Sequence, residues 1–383
     1  MNLFDVYPLF DINPVRGQGC YVWDDKGNRY LDLYGGHAVI SIGHSHPHYV
    51  KRIARQLYDI GFYSNSVQMP MQEELAEKLG ELSGYTDYSL FLCNSGAEAN
   101  ENALKVASFH TGRKKVITFK KGFHGRTSAA VAATDNPSII APINETDNYI
   151  FLPLNDSAAF EEAILQYGDQ LAAVMVEGIQ GVGGVYIPDT AFLQTVAAAC
   201  KKTGALLILD EVQSGYGRSG KFFAHQYANI TPDLITVAKG MGNGFPIAGV
   251  LINPAIEARH GMLGTTFGGN YLACAAGIAV LEVMKKENLV QNAQQMGQRL
   301  MQELRTLPNI REVRGLGLMI GVELEEPCGP IRKQLLEEHQ IFTGSSSDKN
   351  TLRLLPPLNM GAREADKFLT AFESILYSLQ PQS

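Results

Sequence analysis

Between about residues 85 and 255, short apolar runs alternate with stretches of helical periodicity, and this restricts the possible folds more than any other feature of the chain. Residues 88–93, 115–119, 172–176, 205–210, 234–237 and 248–252 read as buried strands. Helical patterns, such as those over 98–110 and 190–203, lie between several of them. This alternation predicts an α/β fold with a mostly parallel sheet covered on both faces. Open sheets of this kind bind ligands outside the carboxyl ends of their strands. Residues just past the apolar runs are therefore the first place to look for function.

The ends of the chain have a different character. From about residue 290, long amphipathic helices lead into the glycine-rich run 313–322, read as a strand, and then into a closing helix. This predicts a smaller α+β domain. A hairpin-like stretch over 20–33, turning at Asp25-Lys26-Gly27-Asn28, should pack beside it. With 383 residues, two or three domains are expected. The expected division is an N-terminal segment over 1–50, a large domain over 51–275 and a small domain over 276–383.

Two of the strand ends carry chemistry. The run 234–237 delivers Lys239 into Gly240, Gly242 and Gly244, and the run 205–210 ends in Asp210. A lone amine that is partly desolvated at a strand end becomes nucleophilic. The glycines let a bulky ring approach the backbone. A lysine to condense with an aldehyde and a carboxylate to hold a pyridinium nitrogen protonated are the two protein groups that pyridoxal phosphate requires. A phosphate site is legible as well. Ser95 is a natural N-cap, and Gly96 and Ala97 leave free N–H groups at the positive end of the helix that follows. Ala99, Ala103, Val106, Ala107 and His110 fall on one face of that helix.

Composition excludes several other classes. The formal net charge is −7 with no basic block, which gives no reason to expect nucleic acid or an anionic membrane surface as partner. No segment approaches the roughly 18 apolar residues of a membrane span, and the N-terminus does not read as a secretory signal. The five cysteines are scattered with no CxxC pair, as expected for a cytoplasmic, reducing environment and not for a disulfide or zinc scaffold. No metal is expected. His44-Ser45-His46-Pro47-His48 lacks an accompanying carboxylate or cysteine nearby in sequence and reads as a structural loop. Gly215-Tyr216-Gly217-Arg218-Ser219-Gly220 matches the dinucleotide fingerprint GxGxxG and would suit a dehydrogenase. However, Glu211 to Ser214 separate it from the strand, and a poor helix start follows it.

Taken in order, the motifs resemble the class III pyridoxal-phosphate aminotransferases of the fold-type I superfamily, over nearly the whole chain. The stretches that carry the resemblance are Gly43-His44-Ser45-His46-Pro47, Ser95-Gly96-Ala97-Glu98-Ala99-Asn100, Phe123-His124-Gly125-Arg126-Thr127, Glu177-Gly178-Ile179-Gln180-Gly181, Asp210-Glu211-Val212-Gln213-Ser214-Gly215, Lys239-Gly240, Thr265-Thr266-Phe267-Gly268-Gly269-Asn270 and Leu352-Arg353-Leu354-Leu355-Pro356-Pro357. Within the class, the compact length and residues 123–127 are most similar to the acetylornithine type.

The resemblance implies pyridoxal phosphate as cofactor, with Lys239 and Asp210 as the catalytic residues. Ser95, Gly96 and Ala97 would hold the phosphate. Phe123, Glu211, Val212 and Gln213 would surround the ring, with Phe123 stacked on it, Val212 on its other face and Gln213 near its phenolic oxygen. Thr266 would reach the phosphate of a neighbouring subunit, so that the active site needs a homodimer. Arg126 and Arg353 would take substrate carboxylates by bidentate pairing, and Thr265 would lie near the amino donor. The implied reaction exchanges the terminal amine of N-acetylornithine with 2-oxoglutarate, giving the semialdehyde and glutamate; in arginine biosynthesis it would run in reverse. The same chemistry on N-succinylornithine, ornithine, 4-aminobutyrate or an acylated lysine stays open, as does a scaffold without catalysis.

The chain departs from the family pattern at two positions. Val182 stands where many relatives carry a glutamate that can mask the arginine equivalent to Arg353. His37 replaces a residue that is usually small or apolar. Both positions are expected to bear on substrate choice.

Overall fold

The computed structural model describes residues 1–379. Its centre is a seven-stranded sheet in the order Ser89–Cys93, Ala248–Ile252, Leu234–Val237, Leu206–Asp210, Leu171–Glu177, Lys115–Phe119, Tyr149–Leu152. Ala248–Ile252 alone runs antiparallel to its neighbours, and the five strands from Leu234–Val237 to Tyr149–Leu152 pair in parallel. Leu171–Glu177, Leu206–Asp210 and Leu234–Val237 are buried along their whole length, because helices cover both faces of the sheet. Tyr149–Leu152 was not anticipated. It is a half-buried edge strand that follows a long irregular stretch, so it has neither a continuous core run nor a clean alternation to mark it.

The helix Gly96–Thr111 starts where the Ser95 hydroxyl accepts the N–H of Glu98 (3.2 Å) and ends at Gly112, whose φ of 69° an unbranched backbone tolerates. Ala99, Ala103, Val106 and Ala107 are buried, while His110, one turn further along the same face, is exposed on the last turn. Tyr271–Lys286 is apolar on nearly every side and correspondingly buried.

Two smaller sheets flank the large one. Pro14–Gln18, Tyr21–Asp24 and Arg29–Asp32 form a meander whose last strand pairs in parallel with Ile341–Phe342. The two ends of the chain thus share one sheet. The glycine-rich run read as one strand is a hairpin, Ile310–Leu316 with Met319–Leu324, to which Thr351–Leu354 adds a third strand. The divisions expected near residues 50 and 275 both fall inside continuous helices, Pro47–Asp59 and Tyr271–Lys286. A change in composition is not a break in i→i−4 hydrogen bonding. All five cysteines are free and buried. Among the described residues, no helix is long and apolar enough to cross a membrane.

Candidate active site

Where the parallel strands end, a cavity of about 420 Å³ opens, lined among others by Ser95, Gly96, Ala97, Phe123, Arg126, Val182, Asp210, Val212, Gln213 and Lys239. Asp210 is the last residue of its strand, opposite Thr236 in the register of the next, which places it beside the segment that carries Lys239. Lys239 follows two residues after Leu234–Val237, at a φ of 42°, and opens a short 3-10 turn. Burial is the chief cause of its lowered pKa, and the charge of Arg353 lowers it further. Asp210 and Glu177 oppose both. The amine therefore sits in the partly desolvated setting its chemistry needs.

Asp210 is held from three sides. Its Oδ2 accepts from His124 Nδ1 (2.8 Å) and Asn100 Nδ2 (2.8 Å), and its Oδ1 accepts from the Val212 N–H (3.0 Å). Asn100 is fixed in turn by the Thr236 hydroxyl (2.7 Å). Burial pushes the pKa of His124 down, but its hydrogen bond to Asp210 and that residue's charge outweigh this and raise it. Behind them, Glu177 accepts the N–H groups of Phe123 (2.9 Å) and Gly181 (3.2 Å). Burial, reinforced by Asp210, pushes its carboxyl up to about 7, against the lowering effect of His124 and the two backbone donors. The sequence reading assigned no role to His124, Asn100 or Glu177. All three lie inside the quoted motifs, which was the available signal, but their partners are distant in sequence.

At the other end of the cavity, Gly96 and Ala97 begin the helix, and among the described residues their N–H groups meet no protein acceptor. A Cβ at Gly96 would lie 2.7 Å from Val212 Cγ1, so only glycine lets the valine close over this turn. Arg126 is exposed at the wall and, among the described residues, forms no ion pair or hydrogen bond. The cradle of free N–H groups, the restrained carboxylate and the desolvated lysine fit pyridoxal phosphate in charge and in donor set.

Other expected site residues lie elsewhere. Glu211 is a correction: its carboxylate points away from the cavity and accepts from Ser214 Oγ (2.6 Å), the N–H groups of Ala224 and His225, and His225 Nδ1 (2.8 Å). Four buried donors leave it nothing to offer a ligand. Thr265 is also outside the cavity lining, with its hydroxyl accepting from Asn94 Nδ2 (3.3 Å) and the Gly268 N–H (3.1 Å). Thr266 is exposed on the surface beside Phe267. Arg353 is buried behind Gln213, whose Oε1 accepts from its Nη1 (3.3 Å), and its Nε donates to the Ser345 carbonyl. Val182 lines the cavity. His37 is hydrogen-bonded to the Tyr34 hydroxyl, and its carbonyl accepts from Gln213 Nε2 (3.1 Å).

The two lookalike motifs have structural roles. His44, His46 and His48 pair with three different carboxylates, Asp32 (2.8 Å), Glu287 (2.9 Å) and Glu282 (2.6 Å). The Gly215–Gly220 stretch is a series of turns, followed by the short 3-10 helix Ala224–Ala228 and not by a helix that could cradle a pyrophosphate.

Known proteins match this arrangement along its length. The chain is 41% identical over 355 residues to the acetylornithine aminotransferase of Archaeoglobus fulgidus, covering 92% of each chain. It is 39% identical over 384 residues to that of Bacillus cereus, covering 98% of this chain and 97% of the relative. The fold superposes on the ornithine aminotransferase of Toxoplasma gondii ME49 with a TM-score of 0.91 at 28% identity, covering 98% of this chain and 93% of that one. The family model for aminotransferase class-III matches residues 5–376, and the chain belongs to the class III aminotransferases.

Proposed function

We propose that this aminotransferase exchanges the terminal amine of N2-acetylornithine with 2-oxoglutarate, giving N-acetylglutamate 5-semialdehyde and glutamate, and that it serves arginine biosynthesis in the cytoplasm by running in reverse. The observation that carries the reading is the pairing of a desolvated Lys239 with a triply held Asp210 at adjacent strand ends of one cavity. The acyl specificity is supported by the acetylornithine aminotransferases that resemble the chain at about 40% identity over nearly its full length.

Pyridoxal phosphate, when bound, supplies the electron sink that makes the substrate C–H bond acidic. The protein's own residues do the rest. Lys239 would hold the cofactor and, as a positioned base of lowered pKa, would move the proton at the substrate carbon. Asp210, oriented by His124 and Asn100, would keep the ring nitrogen protonated. Ser95, Gly96 and Ala97 would bind the phosphate, and Phe123 and Val212, which line the same cavity, would hold the ring. Arg126 and Arg353 orient substrate carboxylates by charge-assisted pairing. Thr266, exposed in one chain, completes the phosphate site of a second copy, and the functional unit is a homodimer. A donor panel with 2-oxoglutarate tests this: acetylornithine, succinylornithine, ornithine, 4-aminobutyrate and N-acetyl-lysine. Acetylornithine should have the highest kcat/KM, and a tenfold preference for any other donor would overturn the assignment.

A further inference from the structure

Lys239 has a backbone conformation that its side chain does not favour. Its φ is 42°, in the left-handed region that residues with a Cβ seldom adopt and that persists only where the surroundings impose it. Glycine would relieve the conformation, but the amine is the group the site needs. Two hydrogen bonds inside the turn, from the Met241 N–H to the Ala238 carbonyl (2.9 Å) and from the Gly242 N–H to the Lys239 carbonyl (3.1 Å), are those of any 3-10 turn. The bonds peculiar to this turn come from residues 193 to 202 positions earlier in the chain. The Ser41 hydroxyl donates to the Gly240 carbonyl (2.7 Å), directly after the lysine, and the Tyr49 hydroxyl donates to the Gly242 carbonyl (2.8 Å). Asn243 reaches back. Its Oδ1 accepts the N–H groups of Ser41 (2.8 Å) and Ile42 (3.0 Å), and its Nδ2 donates to the Gly43 carbonyl (3.0 Å). Ser41 and Asn243 are both buried. Asn243 is itself left-handed, at a φ of 47°, which asparagine tolerates.

We propose that Ser41 and Asn243 are positioning residues for Lys239: with the backbone of residues 41–43 they strap down the turn, hold the lysine in its left-handed conformation and keep its amine aimed at one point of the cavity. This rests on the reading of Lys239 as the group that holds the cofactor and moves the proton. A lysine side chain is a flexible stem, so its amine is placed only as well as its backbone is fixed. Proton transfer in turn needs the amine within hydrogen-bond reach of the reacting carbon. A turn that relaxed to an ordinary negative φ would swing the Cα–Cβ bond and carry the amine away with it. The strap also ties the lysine to the walls of the site. Val39, two residues before Ser41, lines the cavity. The Ser41 carbonyl accepts the N–H of Leu358 (2.7 Å), just beyond the strand Thr351–Leu354 that carries Arg353.

Amide hydrogen exchange of the holoenzyme, read by mass spectrometry, and single-turnover kinetics separate this role from packing alone. Ser41→Ala removes one bond to the turn. The peptide spanning residues 239–243 should then exchange roughly fivefold faster, while the strands of the large sheet keep their wild-type protection. In single turnovers with glutamate the maximal rate should fall about tenfold with the half-saturating concentration unchanged, because binding is intact and only the placement of the amine is lost. Asn243→Gly keeps the left-handed backbone but removes all three side-chain bonds, so it should go further in both readouts. Unchanged exchange over residues 239–243, or faster exchange there with a wild-type maximal rate, would overturn the strap. A loss of activity that came entirely from a raised half-saturating concentration would do the same. Borohydride labelling of the wild type is the control for the underlying reading: a label on a lysine other than Lys239 would remove this turn from catalysis, whatever the exchange shows.

Discussion

Glu177 is the residue whose behaviour with pH follows most directly from its surroundings. Its folded pKa, about 7, lies above the ordinary carboxylate value of 4.5, so the native state binds the proton more tightly than the unfolded chain does. The resulting stabilisation is complete below about pH 4.5 and is lost as pH rises through 7. Glu177→Gln cannot titrate. Between about pH 5 and pH 8 the wild type should lose unfolding free energy relative to this variant, by no more than about 3 kcal/mol. Chemical denaturation of both proteins across that range checks this, and a constant difference would refute it. Lys239 and Asp210 were legible in the sequence because each ends an apolar run, and a strand end is where an α/β sheet exposes chemistry. His124, Asn100 and Glu177 were not, because their roles depend on contacts between strands far apart in the chain, which no local pattern encodes. Glu211 misled for a related reason: adjacency to Asp210 does not fix which way a side chain points, and the next residue along an extended chain faces the other side.

Ser95 illustrates how an element serves the site. The hydroxyl that caps the helix also fixes the first turn, where Gly96 and Ala97 present their N–H groups. Ser95→Ala should cost about 1 kcal/mol of stability from the lost cap. It should also speed loss of the cofactor on dialysis, because the N–H cradle is less ordered. Thermal melts and the absorbance remaining after dialysis measure the two effects, and a melt unchanged from wild type would contradict the capping role. The strands and the helices Gly96–Thr111 and Thr190–Thr203 could be read from apolar runs and periodicity. The reversed direction of Ala248–Ile252 could not, since a fully buried strand has the same composition in either orientation. The edge strand Tyr149–Leu152 escaped notice because its half-buried residues give no contrast between faces.

For the whole molecule, the surface around Thr266 matters most. Phe62 and Phe267 meet with ring centroids 5.4 Å apart and planes tilted by 48°, yet both are exposed, as is the neighbouring Tyr63. Clustered exposed aromatics of this kind mark interaction surfaces. On the proposed homodimer, Phe267→Asp should shift the protein from dimer to monomer in analytical ultracentrifugation and abolish activity with it; a variant that stays dimeric would place the interface elsewhere. The meeting of the two chain ends was the least legible property. The two ends of the chain are far apart in sequence and meet through the pairing of Arg29–Asp32 with Ile341–Phe342 and through contacts such as the Tyr21 hydroxyl donating to Glu364. Helices also run across both divisions that composition suggested.

The central claim is that Lys239 carries the cofactor. Borohydride reduction of the holoenzyme, followed by peptide mass spectrometry, tests it most directly. The account predicts a phosphopyridoxyl group on the peptide containing Lys239, loss of the visible absorbance, and neither effect in Lys239→Ala. The same modification on a different lysine, or a protein left unlabelled after incubation with pyridoxal phosphate, would contradict it.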